Sequence, residues 1–135
     1  MKLIRVFLLI QAIGLGAFGL LMFLKPELSI GFLEATEMSS SGFYEIRSIY
    51  GGTSLGGAAL LFAGFLKAEM IRPALYFQLA YTGGYAVVRI AALPLDGIPS
   101  KLFWPFIGLE FATVFLTIYC LRYLNMRQSP DRQGI

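Results

Sequence analysis

The sequence predicts an all-α integral membrane protein, with four transmembrane helices in one compact bundle and both termini in the cytoplasm. Hydrophobic residues make up 57% of the 135 residues and the mean hydropathy is +0.71, whereas soluble domains contain about 45–50% apolar residues. The apolar residues also form four runs, each of about 20 residues, which is the length needed to cross a hydrocarbon core of about 30 Å. Most lysines and arginines lie at one set of run ends, a pattern typical of multi-pass proteins.

The first predicted helix covers residues 3–24. Its only strongly polar members are Arg5 and Gln11, and Pro26 ends it because proline cannot continue a helix. The apolar stretch is too long for a signal peptide, and no small-x-small cleavage pattern precedes Lys25. We therefore expect an uncleaved transmembrane helix.

The second predicted helix covers residues 43–66 and follows the longest polar connection in the chain. The serine cluster 39–41 with Gly42 supplies a helix start. This start places Glu45 in the first turn, where the positive end of the helix dipole favours an anion.

The third predicted helix, 73–93, begins with Pro73, whose missing N–H is not needed at the first helical position. It ends before Pro94, which starts a turn. The fourth helix covers 101–124, and a polar tail covers 125–135. We expect all 135 residues to form a single domain.

The distribution of basic residues predicts the orientation. Seven lie on one side of the predicted helices and two on the other, so the positive-inside rule places both termini in the cytoplasm. The seven are Lys2, Arg5, Lys67, Arg72, Arg122, Arg127 and Arg132, and the two are Lys25 and Lys101.

Four ionisable residues remain inside the predicted spans, and each would cost a few kcal/mol if it faced lipid. All four fall in the outer half of the membrane, which predicts one buried network of two acids and two bases. We expect Arg89 to pair with Glu110, and Glu45 to pair with either arginine. The candidate site, which also includes two tyrosines near the same face, is Glu45, Arg47, Tyr50, Tyr85, Arg89 and Glu110.

Helical geometry constrains the second predicted helix. Glu45 and Arg47 are two residues apart, so in an α-helix they point about 160° away from each other. If both are buried, this helix must be covered on two sides. Glu45 shares its face with Ile49, Gly52 and Gly56, and Arg47 shares its face with Tyr50, Gly51 and Ser54.

Small residues on these helices predict close helix packing, because they let two backbones approach each other. Packing within the bundle is the favoured interpretation, and self-association is the alternative. The residues are Ser48, Gly51, Gly52, Gly56, Gly57 and Gly84.

A set of short motifs resembles a known family. The set is Glu45-x-Arg47-x-x-Tyr50-Gly51-Gly52, Gly56, Arg89, Asp96-Gly97-x-Pro99-Ser100 and Glu110. It resembles the bacterial membrane family catalogued as domain of unknown function 4345, which is broadly similar in architecture to DoxX-like four-helix proteins. The resemblance covers nearly the whole span from the first helix to the fourth. It implies a four-helix bundle of the bacterial inner membrane with these polar residues as its signature, and it implies no particular activity.

The favoured function is a structural or accessory membrane subunit, in which ion pairs fix the helix register. One alternative is a binding module for a lipid- or quinone-like ligand, held in an outward-opening pocket. Another is a small-solute or proton-coupled transporter, which would require an oligomer. The expected partners are therefore the lipid bilayer, a lipophilic ligand, and other membrane subunits or a second copy of the chain.

Several classes are disfavoured by what the sequence lacks. Histidine is absent, and there is no serine nucleophile motif, phosphate-binding loop or metal-ligand cluster, so we expect neither an enzyme nor a bound metal or cofactor. Basic residues lie at segment ends instead of forming a patch interleaved with aromatic residues, so we expect no nucleic-acid partner. The lone cysteine, Cys120, cannot form an intramolecular disulfide.

Overall fold

A computed structural model describes residues 1–128, apart from the side chains of Phe32 and Gln128. The end of the predicted tail, with Arg132, lies outside the described residues. The chain folds into two compact units, Met1–Ile71 and the residues from Arg72 onward. The helices are α1 (Lys2–Leu24), α2 (Leu28–Phe32), α3 (Ser40–Leu66), α4 (Ile71–Asp96) and α5 (Trp104–Gln128).

The first unit is built on α1 and α3, which pack closely in antiparallel directions. A Cβ added at Gly19 would lie 2.9 Å from the backbone nitrogen of Leu55, and one added at Gly16 would lie 3.4 Å from the Cβ of Ala58. Near the C-terminal end of α1, the backbone nitrogen of Phe23 would lie 3.3 Å from a Cβ added at Gly51 of α3. Glycine is needed at Gly19 because any side chain there would meet the backbone of α3.

The helix α3 contains a π-helical segment. It is α-helical over Ser40–Glu45, π-helical over Ile46–Gly52 and α-helical again over Thr53–Leu66. It begins three residues earlier than the sequence predicts because Ser39 is the N-cap, and its side chain accepts a hydrogen bond of 3.2 Å from the backbone N–H of Gly42. Glu45 therefore lies in the second turn of the helix.

The second unit contains α4 and α5, joined by a short connection with a 3₁₀ turn over Lys101–Phe103. Pro94 lies inside the last turn of α4, and the helix continues through it to Asp96. Gly97 then adopts a φ of +82°, and its N–H donates to the carbonyl of Leu93 at 3.0 Å. This left-handed C-cap, which favours glycine, ends the helix three residues later than the sequence predicts.

Three helices are long and apolar enough to cross a membrane: Lys2–Leu24, Ser40–Leu66 and Lys101–Arg127. They support assignment as a membrane protein. The helix α4 is not among them, although its 26 residues correspond to about 39 Å. The four-helix bundle and the orientation of the termini therefore stay predictions.

Candidate functional site

An ion pair joins the two helices of the second unit. The guanidinium of Arg89 donates from Nε to Oε2 of Glu110 at 2.6 Å and from Nη2 to Oε1 at 2.9 Å. This two-point geometry is the strongest form of arginine–carboxylate pairing. The side chains are partly shielded, with 30% of Arg89 and 18% of Glu110 exposed. The structure thus contains the Arg89–Glu110 pair predicted from the sequence.

The fold makes this pair possible because α4 and α5 form a hairpin. Arg89 lies seven residues before the end of α4, and Glu110 lies six residues after the start of α5. Helices joined by a short connection run antiparallel, so two residues at similar distances from the turn lie side by side. The ring centroid of Phe103, in the connection, is 6.0 Å from the guanidinium carbon of Arg89, which is within range of a cation–π contact.

Aromatic side chains follow one face of α4 toward Arg89. Phe77 and Tyr81 are stacked with centroids 5.4 Å apart, and Tyr81 meets Tyr85 edge to face at 5.1 Å. The hydroxyl of Tyr85 donates to that of Tyr81 at 3.5 Å. Tyr85 is on the exposed side of the helix. A lipophilic ligand beside these rings stays a prediction.

A separate polar row of α4 and α5 is buried. The amide Nε2 of Gln78 donates to the hydroxyl of Thr82 at 2.8 Å, and the hydroxyl of Thr117 donates to the carbonyl of Thr113 at 2.7 Å. All four residues are buried. These bonds pair the hydroxyls of Thr82 and Thr117 and the amide nitrogen of Gln78 away from water, whereas Oε1 of Gln78 accepts no hydrogen bond from the described residues.

Glu45 and Arg47 are both exposed. Among the described residues, neither side chain makes an ion pair or a hydrogen bond. The prediction of one buried network of four charges is therefore wrong: the described part of the chain has the partly shielded Arg89–Glu110 pair and two exposed charges on α3.

The π-helical segment explains the exposure of Arg47. The buried residues of this segment are Ile46 and Gly51, which are five residues apart, the spacing of a π-helical turn. In an uninterrupted α-helix Arg47 would share a face with Gly51 and Ser54. The wider turn places Ile46 on the buried side of the helix and Arg47 on the exposed side.

The glycines of α3 occupy two different environments. Gly51 approaches the backbone of α1, and Gly57 is buried. A Cβ added at Gly52 or Gly56 would meet no described atom within 4 Å. Ser48 is also exposed, and its hydroxyl donates to the carbonyl of Tyr44 at 2.9 Å.

The candidate residues are thus divided between the two units. Gly84 is exposed on α4, and a Cβ there would also meet no described atom within 4 Å. Tyr50 is half-buried on α3. The first unit holds Glu45, Arg47 and Tyr50, and the second holds Tyr85, Arg89 and Glu110.

Sequence reasoning missed two arginine–aromatic contacts. One is Arg89 with Phe103, which are 14 residues apart, so no helical spacing signals it. The other is Arg127, whose guanidinium carbon lies 4.9 Å from the ring centroid of Tyr123. This second contact joins residues i and i+4 of one helix and could have been found from the sequence. In residues 1–128, no three Cys, Asp or Glu side chains are grouped so that they could share a metal ion.

The comparisons with known proteins give one match. The model of the family described as Domain of unknown function (DUF4345) matches residues 3–121. No curated protein and no solved structure matches the chain.

Proposed function

Since the chain belongs to the DUF4345 family, whose description names no activity, we propose from its own residues that it is an accessory subunit of a membrane-protein complex. In this proposal it is a multi-pass protein of the bacterial inner membrane, with four spans and both termini in the cytoplasm. Its role is to bind a membrane-spanning helix of another protein. The proposal includes no catalytic step and no cofactor.

The observation that carries the proposal is the exposure of Glu45 and Arg47 on a helix that is long and apolar enough to cross a membrane. About 20 residues span the hydrocarbon core, and 20 residues counted back from Leu66 begin at Arg47. Both charges then lie at the edge of the core, where solvent weakens an ion pair less than it does in bulk water. A partner helix with complementary charges at the same depth would stabilise them.

The surface next to Arg47 suits a helix as the partner. Ser48, Gly52 and Gly56 are exposed and spaced four residues apart, the small-xxx-small pattern that lets two helices approach closely. We call Arg47, Ser48, Gly52 and Gly56 the docking face. It combines close backbone approach with a charge at one end, so an acidic residue of the partner opposite Arg47 would fix the register.

Site-specific photo-cross-linking in the native membrane tests the proposal. A photoreactive residue replaces Gly56 in the docking face, and a control replaces Gly14, which is exposed on α1 and has no described atom within 4 Å of an added Cβ. We expect position 56 to cross-link to one defined membrane protein and position 14 not to do so. Arg47→Gln should reduce that cross-link roughly tenfold, the equivalent of about 1.4 kcal/mol.

Other outcomes separate the alternatives. Cross-linking of position 56 only to a second copy of this chain would replace the accessory-subunit proposal with self-association. Equal cross-linking from positions 56 and 14, or only to lipid, would contradict the docking face. A thermal unfolding curve of Arg47→Gln in detergent should match that of the unmodified chain, because the side chain is exposed.

A further inference from the structure

The second unit has a strongly basic end away from its connecting turn. Because α4 and α5 are antiparallel, the start of α4 and the end of α5 lie at the same end of the hairpin. That end carries Arg72, Arg122 and Arg127. The turn end carries Arg89, Lys101, Asp96 and Glu110, two bases and two acids.

The charges of this unit are therefore segregated along the hairpin. In residues 72–128 both acids lie in the turn half, and three of the five basic residues lie at the far end. Arg122 makes no hydrogen bond or ion pair with any described residue, and the only described contact of the Arg127 guanidinium is with the Tyr123 ring. Positive charge gathered at one end attracts anions.

These arginines border an exposed face of α5. With 3.6 residues per turn, one face of roughly 140° of the helix carries five residues. In order around the helix they are Arg122, Met126, Tyr119, Tyr123 and Arg127. Tyr119 and Met126 are 65% and 64% exposed, whereas Leu121 and Leu124 on the other side of α5 are buried. An arginine thus lies at each edge, and tyrosine rings and a methionine lie between them. We call these five residues the basic aromatic face.

The depth of this face indicates the class of its ligand. The candidate span Lys101–Arg127 ends within the face, so these residues lie where hydrocarbon gives way to headgroups. Tyrosine rings favour that level, and a guanidinium binds phosphate oxygens at two points. Stacking on Tyr123 orients the Arg127 guanidinium next to the ring.

We propose that the basic aromatic face binds the headgroup of an anionic phospholipid, with Arg122 and Arg127 holding the phosphate and Tyr119, Tyr123 and Met126 contacting the upper acyl chain. This site is independent of the docking face on α3. Each arginine near an anionic membrane surface contributes about 1 kcal/mol, so loss of one should weaken binding roughly fivefold.

Native mass spectrometry of the full chain, released from nanodiscs, tests this proposal. The probe is phosphatidylglycerol, compared with phosphatidylcholine of the same acyl chains. We expect the chain to retain phosphatidylglycerol preferentially. The double variant Arg122→Gln/Arg127→Gln should lower its affinity about thirtyfold, the product of two single losses.

Matched variants make the result specific. Lys101→Gln removes an exposed positive charge at the turn end of the same unit and should leave the affinity for phosphatidylglycerol unchanged. Tyr123→Leu removes the ring beside Arg127 and should weaken binding two- to fivefold. Arg122→Lys/Arg127→Lys keeps the charge and should retain most of the affinity at low salt.

Three results would overturn the proposal: equal affinity for the two lipids, unchanged affinity of the double glutamine variant, or an equal loss in Lys101→Gln. If the double glutamine variant fails to fold, the single variants and the lysine pair decide the question. Displacement of the bound lipid by an acidic peptide at equal concentration would assign the face to a protein partner instead.

Discussion

At the scale of single residues, the Arg89–Glu110 pair is the best-defined interaction between α4 and α5. Its two hydrogen bonds are 2.6 and 2.9 Å long. The side chain of Arg89 is 30% exposed and that of Glu110 is 18% exposed. Removal of one partner leaves the other charge partly desolvated, so single replacements should cost more than the pair itself contributes. We propose that the pair fixes which turn of α4 faces which turn of α5.

A double-mutant cycle with Arg89→Gln and Glu110→Gln tests this function of the pair. We expect a coupling free energy of about 1–3 kcal/mol, below the cost of breaking a fully buried pair because both groups are partly exposed. The measurement is the free energy of unfolding in detergent micelles for the two single variants and the double variant. Additive effects of the single replacements would contradict a direct interaction.

At the scale of the element, the π-helical segment decides which residues of α3 face the interior. It lies between two α-helical segments, and π-helical turns of this kind are frequent at functional sites. Its wider turn brings Ile46 and Gly51 to the buried side. The charges and the open glycines then share the exposed surface, which is what makes a docking face possible.

Replacement of two isoleucines tests which side of the π-helical segment is buried. Ile46 is 6% exposed and Ile49 is 55% exposed. We expect Ile46→Ala to lower the free energy of unfolding by about 1–2 kcal/mol through lost packing. The hydrophobic effect adds little to this loss, because lipid is as apolar as the protein interior. Ile49→Ala should change it by less than about 0.5 kcal/mol. Thermal unfolding in detergent is the measurement, and a larger loss for Ile49→Ala than for Ile46→Ala would contradict this burial pattern.

At the scale of the whole molecule, the open question is whether α4 crosses the membrane. It is long enough, but it is not one of the three helices that are sufficiently apolar. Its buried polar residues, Gln78 and Thr82, form a hydrogen bond with each other. Polar side chains are tolerated within a membrane when they face protein and not lipid.

Cysteine labelling decides this topology. The chain has one cysteine, so Cys120→Ala gives a cysteine-free background. Single cysteines then replace Ala68, in the connection before α4, and Ile98, in the connection after it, both of which are exposed. If α4 spans the membrane, a membrane-impermeant maleimide added to intact cells whose outer membrane has been permeabilised should label position 98 and not position 68.

The control for this experiment is labelling after the inner membrane is also permeabilised, when both positions should react. Labelling of both positions from the same side would mean that α4 does not span. The N and C termini would then lie on opposite sides of the membrane, against the orientation predicted from the basic residues.

The amino-acid sequence was enough to predict a helical membrane protein and the approximate helix positions, because apolar runs and prolines act locally along the chain. It also predicted the Arg89–Glu110 pair, because a short connection forces residues at matching distances from the turn to lie side by side. Three features became clear from the folded chain: Arg47 lies outside the buried face, Gly51 approaches α1 while Gly56 stays open, and α4 continues past Pro94 to Asp96. The first two depend on a π-helical turn and on contacts between residues far apart in the sequence, which residue types and α-helical spacing do not encode. The third depends on a left-handed cap, for which Gly97 is a signal in the sequence.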